Sequence, residues 1–511
     1  MSGTGFDRRF LVVCLLLAAC GLCAPRARAD CPLYRLPTNR FGVDLNSKFG
    51  RITDYDVGAL HIGWYSDWWS SSAPLRPGGI EYVQLISVRE GEWTVPGGGS
   101  WTVLGSLVDA SPGAIWMIGN EPECPNDPGG GKMTPAQYGA VYHDLYTFIK
   151  GRDPTAKIAI GGVVEPTPLR LEWLDLLLTY YQTTYGVSMP VDIWTTHLLI
   201  LQEKRGDWGC GIPVGLSENE GRLYGIADNW SVPIFQQLVV EFRTWMSSHG
   251  QRNKPLMITE YGVLMPYAST AQVNAYMSGS FDYMLSTSDA NLGYPADANL
   301  LVQRWLWNSL NDQPYNFETA QGFNGGLFDY TDSTFPGTPT AFGLNFISYT
   351  NALLTGTACI TGTVSMEARP AAPDASYVTT ATLTLLAVGC PQPDVRSVTT
   401  NASGRFTVCN VTPGTYDIVA KGYNTLANRT NAVVLPSGST NVNLGLLRSG
   451  DANNDNQVTT QDFTILAAAY RTVAGDAAYD QRADFNSDGK VDIRDFSLLA
   501  THFSQVGAQA W

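Results

Sequence analysis

Short apolar runs alternate with longer stretches of helical period over the first two thirds of the chain. Runs at 41–45, 59–64, 82–88, 114–118, 157–160, 191–196, 256–259 and 302–307 have the length and the β-branched or aromatic content of strands. Between them, 134–150, 169–185 and 232–249 repeat apolar positions every three or four residues, as helices do. Thr134-Pro135 opens the first of these with a cap and a proline at the first helical position, and Lys254-Pro255 stops the chain before the next strand. Eight strands alternating with helices across 30–355 predict a (β/α)8 TIM barrel. A doubly wound sheet is the fallback, disfavoured because no glycine-rich phosphate loop opens a first βα turn.

The pattern changes twice further on. Across 356–448, short alternating runs at 360–364, 381–388, 405–408, 416–420 and 442–446 are broken by turn signals, Ser403-Gly404 and Thr412-Pro413-Gly414. This predicts a small all-β sandwich. Across 449–507, two Asp- and Asn-rich stretches stand 33 residues apart, each followed by an apolar helical run (463–470 and 496–503), which predicts a small α-helical module.

Composition narrows the function. The chain has 511 residues, 44% of them hydrophobic, enough for several packed cores. Its formal net charge is −14, and no cluster of Lys and Arg stands ready to neutralise phosphates, so nucleic acid is excluded as a partner. Beyond the N-terminus no apolar run is long enough to span a membrane. Residues 1–29 read as a signal peptide: Arg8-Arg9, an apolar run over 10–19, and Ala27-Arg28-Ala29 before a cut at Asp30. Leu17-Ala18-Ala19-Cys20 offers the competing reading of a lipobox with a lipid anchor on Cys20. Either way the product is exported, to the extracellular space or the cell surface. Six cysteines remain after the leader: Cys31, Cys124, Cys210, Cys359, Cys390 and Cys409. An even number in an exported chain suggests disulfides. The expected pairs are 31–359, because barrel termini lie close together, 124–210 on one rim of the barrel, and 390–409 within the sandwich.

In a barrel, working residues sit where strands end. Glu121, in Gly119-Asn120-Glu121-Pro122, follows the fourth strand; Glu260, in Thr259-Glu260-Tyr261-Gly262, follows the seventh. Glycoside hydrolysis needs two such carboxyls, one protonated for the leaving oxygen and one ionised to attack or to activate water. The bland alternative for each is a helix cap or an ion pair. Together, these motifs resemble the retaining glycoside hydrolases of clan A. That resemblance implies that Glu121 is the acid/base, Glu260 the nucleophile, and Asn120 a ligand of the sugar 2-hydroxyl. It also implies that Trp307, ending strand eight, is an aromatic platform, and that catalysis needs no cofactor. His197, ending strand six, is a substrate contact or a packed core histidine. Trp64, with Trp68 and Trp69 after strand two, and Trp208 after strand six are candidate sugar-stacking residues. Glu123 reads as a loop residue, and Glu165 and Glu203, also beyond strand ends, as surface residues before substrate contacts.

The stretch from Gly404-Arg405-Phe406 through Pro413-Gly414-Thr415-Tyr416 to Lys421-Gly422-Tyr423 resembles carboxypeptidase-regulatory-like domains, which implies a spacer. At the C-terminus, Asp451, Asn453, Asp455, the carbonyl of Gln457 and Asp462 occupy positions 1, 3, 5, 7 and 12 of a calcium loop. Asp484, Asn486, Asp488, the carbonyl of Lys490 and Asp495 repeat them. Such alternation wraps hard oxygen ligands around one point. The duplicated loop-plus-helix resembles a type I dockerin. It implies two Ca2+ sites and a cohesin module of a scaffold protein as partner, as in a cellulosome. The expectation is thus a secreted, dockerin-tethered retaining glycosidase acting on a polysaccharide. Its rival is a non-catalytic carbohydrate-binding or surface-attachment protein with an inactive barrel.

Overall fold

The computed structural model describes residues 34, 36–319, 321–387 and 393–509. The leader, Cys20, Cys31 and Cys390 lie outside the described residues.

Among the described residues, ten strands occupy the first region: β1 (Phe41–Asp44), β2 (Trp64–Ser66), β3 (Glu81–Tyr82), β4 (Gln84–Arg89), β5 (Glu92–Thr94), β6 (Ile115–Ile118), β7 (Lys157–Ile160), β8 (Trp194–Leu198), β9 (Leu256–Tyr261) and β10 (Arg304–Trp307). Parallel pairings run β3-β2-β1-β10-β9-β8 in one sheet and β4-β6-β7 in another, with β5 paired antiparallel on β4. Only Val83 separates β3 from β4. Parallel bridges Ala159–Ile193 and Val163–Thr196 join β7 to the β8 side. Strand neighbours therefore follow one another around the region and return to β1. Every residue of β1, β6, β8, β9 and β10 is buried, as parallel strands covered on both faces require.

Seven helices alternate with these strands: α1 (Val57–Leu60), α2 (Trp101–Asp109), α3 (Pro135–Arg152), α4 (Pro168–Tyr185), α5 (Val232–Ser248), α6 (Thr270–Ser286) and α7 (Ala341–Leu353). The start of α3 is set by a capping box between Thr134 and Gln137, with Pro135 inside it. One apolar cluster fills the space between strands and helices. A second joins Trp64, Leu85, Ile115, Met117, Ala159, Met257 and Leu306, residues drawn from the six strands β2, β4, β6, β7, β9 and β10. Trp64 enters this cluster because Gly42 leaves room: a Cβ there would sit 2.4 Å from the indole. Around 59–64 the expected strand is instead α1, capped by Asp56, followed by His61 in the left-handed region, so the strand begins only at Trp64.

After α7 come two sheets, β14-β11-β17 and β13-β12-β15-β16, built from β11 (Ala358–Met366), β12 (Thr380–Ala387), β13 (Asp394–Thr399), β14 (Arg405–Val411), β15 (Gly414–Gly422), β16 (Asn428–Leu435) and β17 (Gly438–Leu447). Ile360, Leu383, Leu385, Phe406, Ile418 and Leu444 share one core between them. The expected disulfides need correction. Cys359 is bonded to Cys409, across the antiparallel neighbours β11 and β14, which rules out both 31–359 and 390–409. Cys124 and Cys210 are buried free thiols rather than a pair. The Cys124 thiol donates to the Cys210 carbonyl at 3.4 Å, and the Cys210 thiol faces Glu165 Oε1 and the Gln202 carbonyl, both at 3.4 Å.

The last region holds α8 (Thr460–Ala469) and α9 (Ile493–His502), with β18 (Thr472–Val473) and β19 (Lys490–Val491) paired antiparallel. Both helices begin earlier than the apolar pattern alone predicts. Thr459 and Asp492 cap them, and Asp462 and Asp495 complete the capping boxes. The core of this region includes Leu426, which belongs to the loop between β15 and β16, together with Ala452, Val458, Leu466, Phe485 and Leu499. Polar contacts follow the same seam: Lys421 Nζ to Asp451 Oδ2 at 2.5 Å, His502 Nε2 to Glu367 Oε2 at 2.8 Å, and Ala427 N–H to Asn456 Oδ1 at 2.8 Å. No helix among the described residues is long and apolar enough to cross a membrane.

Candidate active site

Glu121 leaves β6 through an unusual backbone. Gly119 has φ +90, where a Cβ would lie 2.3 Å from the Val88 side chain, and Glu121 itself has φ +40. Its amide is anchored on the Gly162 carbonyl at 3.0 Å, and its carbonyl accepts from Gly131 N–H at 2.9 Å. Non-glycine residues held in the left-handed region gather at functional sites, where surrounding structure overrides the strain. Glu260 needs no such device, because it lies within β9, one residue before the strand ends.

His197, within β8, bridges the two. Its Nδ1 is 3.0 Å from Glu121 Oε1 and 3.7 Å from Glu260 Oε2. One carboxylate oxygen of Glu121, one of Glu260 and one ring nitrogen of His197 all lie within 4.8 Å of one another. Gly162 makes the space, since a Cβ there would fall 2.7 Å from the imidazole. Burial pushes His197 down to about 4, so the ring is neutral at pH 7. Burial, aided by the neighbouring charge of Glu123, pushes Glu121 up to about 8. Glu260 is raised as well, first by burial and then by Glu121, while a hydrogen bond from Asn308 opposes the rise. Two carboxyls this close cannot both ionise freely, so each favours the protonated form of the other.

The glutamates open onto a cavity of about 770 Å³, also lined by Asp44, Asn120, Asp127, Asn308 and Asp312. Trp68, Trp69 and Trp208 form part of its wall. Trp64 and Trp307 do not: both are fully buried, with Nε1 donating to the carbonyls of Arg40 (3.1 Å) and Gly325 (2.9 Å). As candidate sugar contacts they are replaced by Trp68 and Trp69. Glu123, Glu165 and Glu203 are fully buried rather than in a loop or at the surface. Arg170 joins Glu123, at 2.8 Å, to Glu203 beneath the cavity floor, and burial raises Glu165 to about 8. Asp44, Asn308 and Asp312 escaped the sequence reading. Asp44 ends β1 and Asn308 directly follows β10, so the rule that selected Glu121 and Glu260 would have found two of the three.

In the C-terminal loops the acidic side chains accept hydrogen bonds from the loops' own backbone. Asp451 accepts from the N–H groups of Asp455 and Asn456 at 3.0 and 2.8 Å, and Asp484 from those of Asp488 and Gly489 at 3.1 and 2.9 Å. Asp462 and Asp495 close the loops on the N–H groups of Asn453 (3.0 Å) and Phe485 (2.8 Å). Position 6 is left-handed in both, Asn456 at φ +69 and Gly489 at φ +81. Asp451, Asp462, Asp484 and Asp495 are all buried, a donor set that suits a hard divalent cation.

Residues 449–504 match the type I dockerin domain family, and the chain carries such a domain at its C-terminus; domains of this type bind calcium. No curated protein matches the chain. Among solved structures, a GH128 (subgroup II) endo-beta-1,3-glucanase from Sorangium cellulosum is 15% identical, with 61% of this chain and 98% of that chain covered and a TM-score of 0.39. An endo-beta-1,4-mannanase from Thermotoga petrophila is 10% identical, covering 81% of this chain and 100% of that one, with a TM-score of 0.34. A chain from an interface mutant of the type II cohesin–X–dockerin complex of Acetivibrio cellulolyticus is 24% identical, covering 29% of this chain and 97% of that one, with a TM-score of 0.25.

Proposed function

We propose that this chain is a secreted retaining glycosidase, a (β/α)8 barrel followed by a β-sandwich, tethered to a cohesin module by its dockerin. The observation that carries the reading is the approach of Glu121 and Glu260 to within 4.8 Å across one cavity. Retaining enzymes hold their carboxyls about 5–5.5 Å apart, inverting ones about 6.5–9.5 Å, to leave room for water. Glu260, ionised and steadied by Asn308, attacks the anomeric carbon while Glu121 gives its proton to the leaving oxygen. Water then attacks the glycosyl ester on Glu260. Glu121, now a base, takes the water's proton, and Glu260 departs as carboxylate. Neutral His197 acts as a positioning residue, its Nδ1 against Glu121 Oε1. Asn120, on the cavity wall, is the proposed partner of the sugar 2-hydroxyl.

At the other end, Asp451, Asn453, Asp455, the Gln457 carbonyl and Asp462 would hold one Ca2+, and Asp484, Asn486, Asp488, the Lys490 carbonyl and Asp495 a second. Bound calcium offsets the repulsion among these carboxylates and so fixes the helices that present themselves to cohesin. Glu260→Gln should abolish turnover of a polysaccharide panel while leaving the melting temperature unchanged to within a few degrees. Turnover equal to the unsubstituted enzyme would assign the nucleophile elsewhere, and no turnover by either would favour the non-catalytic binding reading.

A further inference from the structure

The cavity walls are unusually one-sided in chemistry. Six carboxylates line it: Asp44, Asp67, Glu121, Asp127, Glu260 and Asp312. Lys48, at the exposed rim, is the one cationic side chain among the described lining residues. The hydrogen-bonding groups are skewed in the same direction. Three acceptors on these walls have no partner: Asp44 Oδ1, Asn120 Oδ1 and Asn308 Oδ1, with Asp44 and Asn308 at 3% and 2% exposure. Three of the side-chain donors beside them are already used. Trp68 Nε1 donates to Asp44 Oδ2 at 3.3 Å, Asn46 Nδ2 to Asp312 Oδ1 at 3.0 Å, and Asn126 Nδ2 to the Gly209 carbonyl at 2.8 Å.

A buried acceptor left unpaired costs free energy that an arriving donor recovers. A carboxylate or sulfate on the ligand would bring further acceptors and further negative charge, and would satisfy none of these groups. We infer that the cavity selects its glycan by charge, accepting sugars rich in O–H or N–H donors and rejecting uronate-bearing and sulfated ones. This rests on the glycosidase reading above and narrows its substrate class. Burial and mutual repulsion already push Asp44 well above the usual carboxylate range and Asp127 up to about 7, so these walls hold little further negative charge and an added anion could enter only with further proton uptake. Each wall carboxylate that stays ionised, several ångströms from an anionic sugar, weakens binding about tenfold at intermediate dielectric.

Asp44 faces the cavity from the end of β1 and Asp312 from the loop after β10, and Asp312 raises Asp44 by its charge. The test uses full-length protein carrying Glu260→Gln, so that ligands bind without turnover. It is presented with oligosaccharides matched in linkage and differing in substituent: hydroxymethyl, amine, carboxylate or sulfate. Neutral or amino members should bind, and the carboxylated and sulfated members should bind at least about tenfold more weakly, with the gap shrinking as salt rises. Adding Asp312→Lys to that background should recover anionic binding. Anionic glycans bound as well as their neutral counterparts, no gain from Asp312→Lys, or no binding by any member would each overturn the inference. Hydrolysis by the unsubstituted enzyme is scored separately. Discriminating binding without hydrolysis would refute the glycosidase reading and leave the charge selection standing, whereas hydrolysis of a uronide would do the reverse.

Discussion

Leu426 sits in the β15–β16 loop by sequence and in the dockerin core by packing, so Leu426→Ala should destabilise a domain to which it does not belong. The side chain is 4% exposed among Ala452, Val458, Leu466 and Leu499. Truncating a leucine in such a site removes transfer free energy and leaves a cavity, for a loss of about 2–5 kcal/mol. A module of this size has only a few kcal/mol of stability to lose. Calcium can compensate, since each tenfold rise in free cation returns about 1.4 kcal/mol per site once binding is coupled to folding. With two sites, the variant should need about ten times more calcium to reach the same protection. Hydrogen exchange on the full chain, read by mass spectrometry across a calcium titration, resolves this locally. Peptides from 449–504 should shift their calcium midpoint, peptides from 41–353 should not, and Leu426→Met should restore most of the loss. If the 449–504 midpoint stays put while the two-sheet peptides alone lose protection, Leu426 serves only its own region and the reasoning fails.

Three further outcomes are expected. Because Glu121 is held near 8 and must donate a proton, kcat/KM should fall as pH rises through about 8; a limb that persists unmoved in Glu121→Gln belongs to another group. A chelator should abolish cohesin binding and loosen 449–504 while glycosidase activity persists; equal loss of both would show that the catalytic region also depends on the metal. Cys359 and Cys409 are 50 residues apart, so removing their bond by a double serine substitution should cost the two-sheet region about 4 kcal/mol, and unchanged melting of that region would contradict the pairing.

The legible parts of the fold were those with a local cause. The strand near 114–118 announces itself because the apolar run is unbroken, and those near 157–160 and 302–307 do so through the shorter buried runs Ile158–Ile160 and Trp305–Trp307. The helix at Pro135 announces itself because its cap lies in the sequence. Edge strands β13 and β16 went unread, since their exposed residues carry no clean alternation. Disulfide partners were not legible at all. Cys359 meets Cys409 because β11 and β14 are neighbours in register, a fact about pairing that no spacing encodes. Trp64 and Trp307 are ambiguous for a related reason: a tryptophan near a strand end can point into the ring or out of it, and Gly42 makes room for Trp64 among the strands while Trp307 packs outward against Tyr276 and Phe281 of α6.

The site divides along the same line. Glu121 and Glu260 were found because carboxylates after strands are few and stand out against an apolar background. Asp44 obeys the same rule without standing out, because a lone aspartate after Gly42-Val43 looks like any loop entry. What sets it apart is tertiary: an oxygen without a donor, a second oxygen held by Trp68, and a like charge at Asp312. A sequence can nominate acids for chemistry, since chemistry uses residue types at strand ends. It cannot nominate the groups that choose a substrate, since selection depends on which acceptors remain unpaired once every other contact in the fold has formed. The bridging role of His197 is of that second kind: an imidazole in the middle of a buried strand becomes part of the site only because β6 and β9 deliver a carboxyl to either side of it.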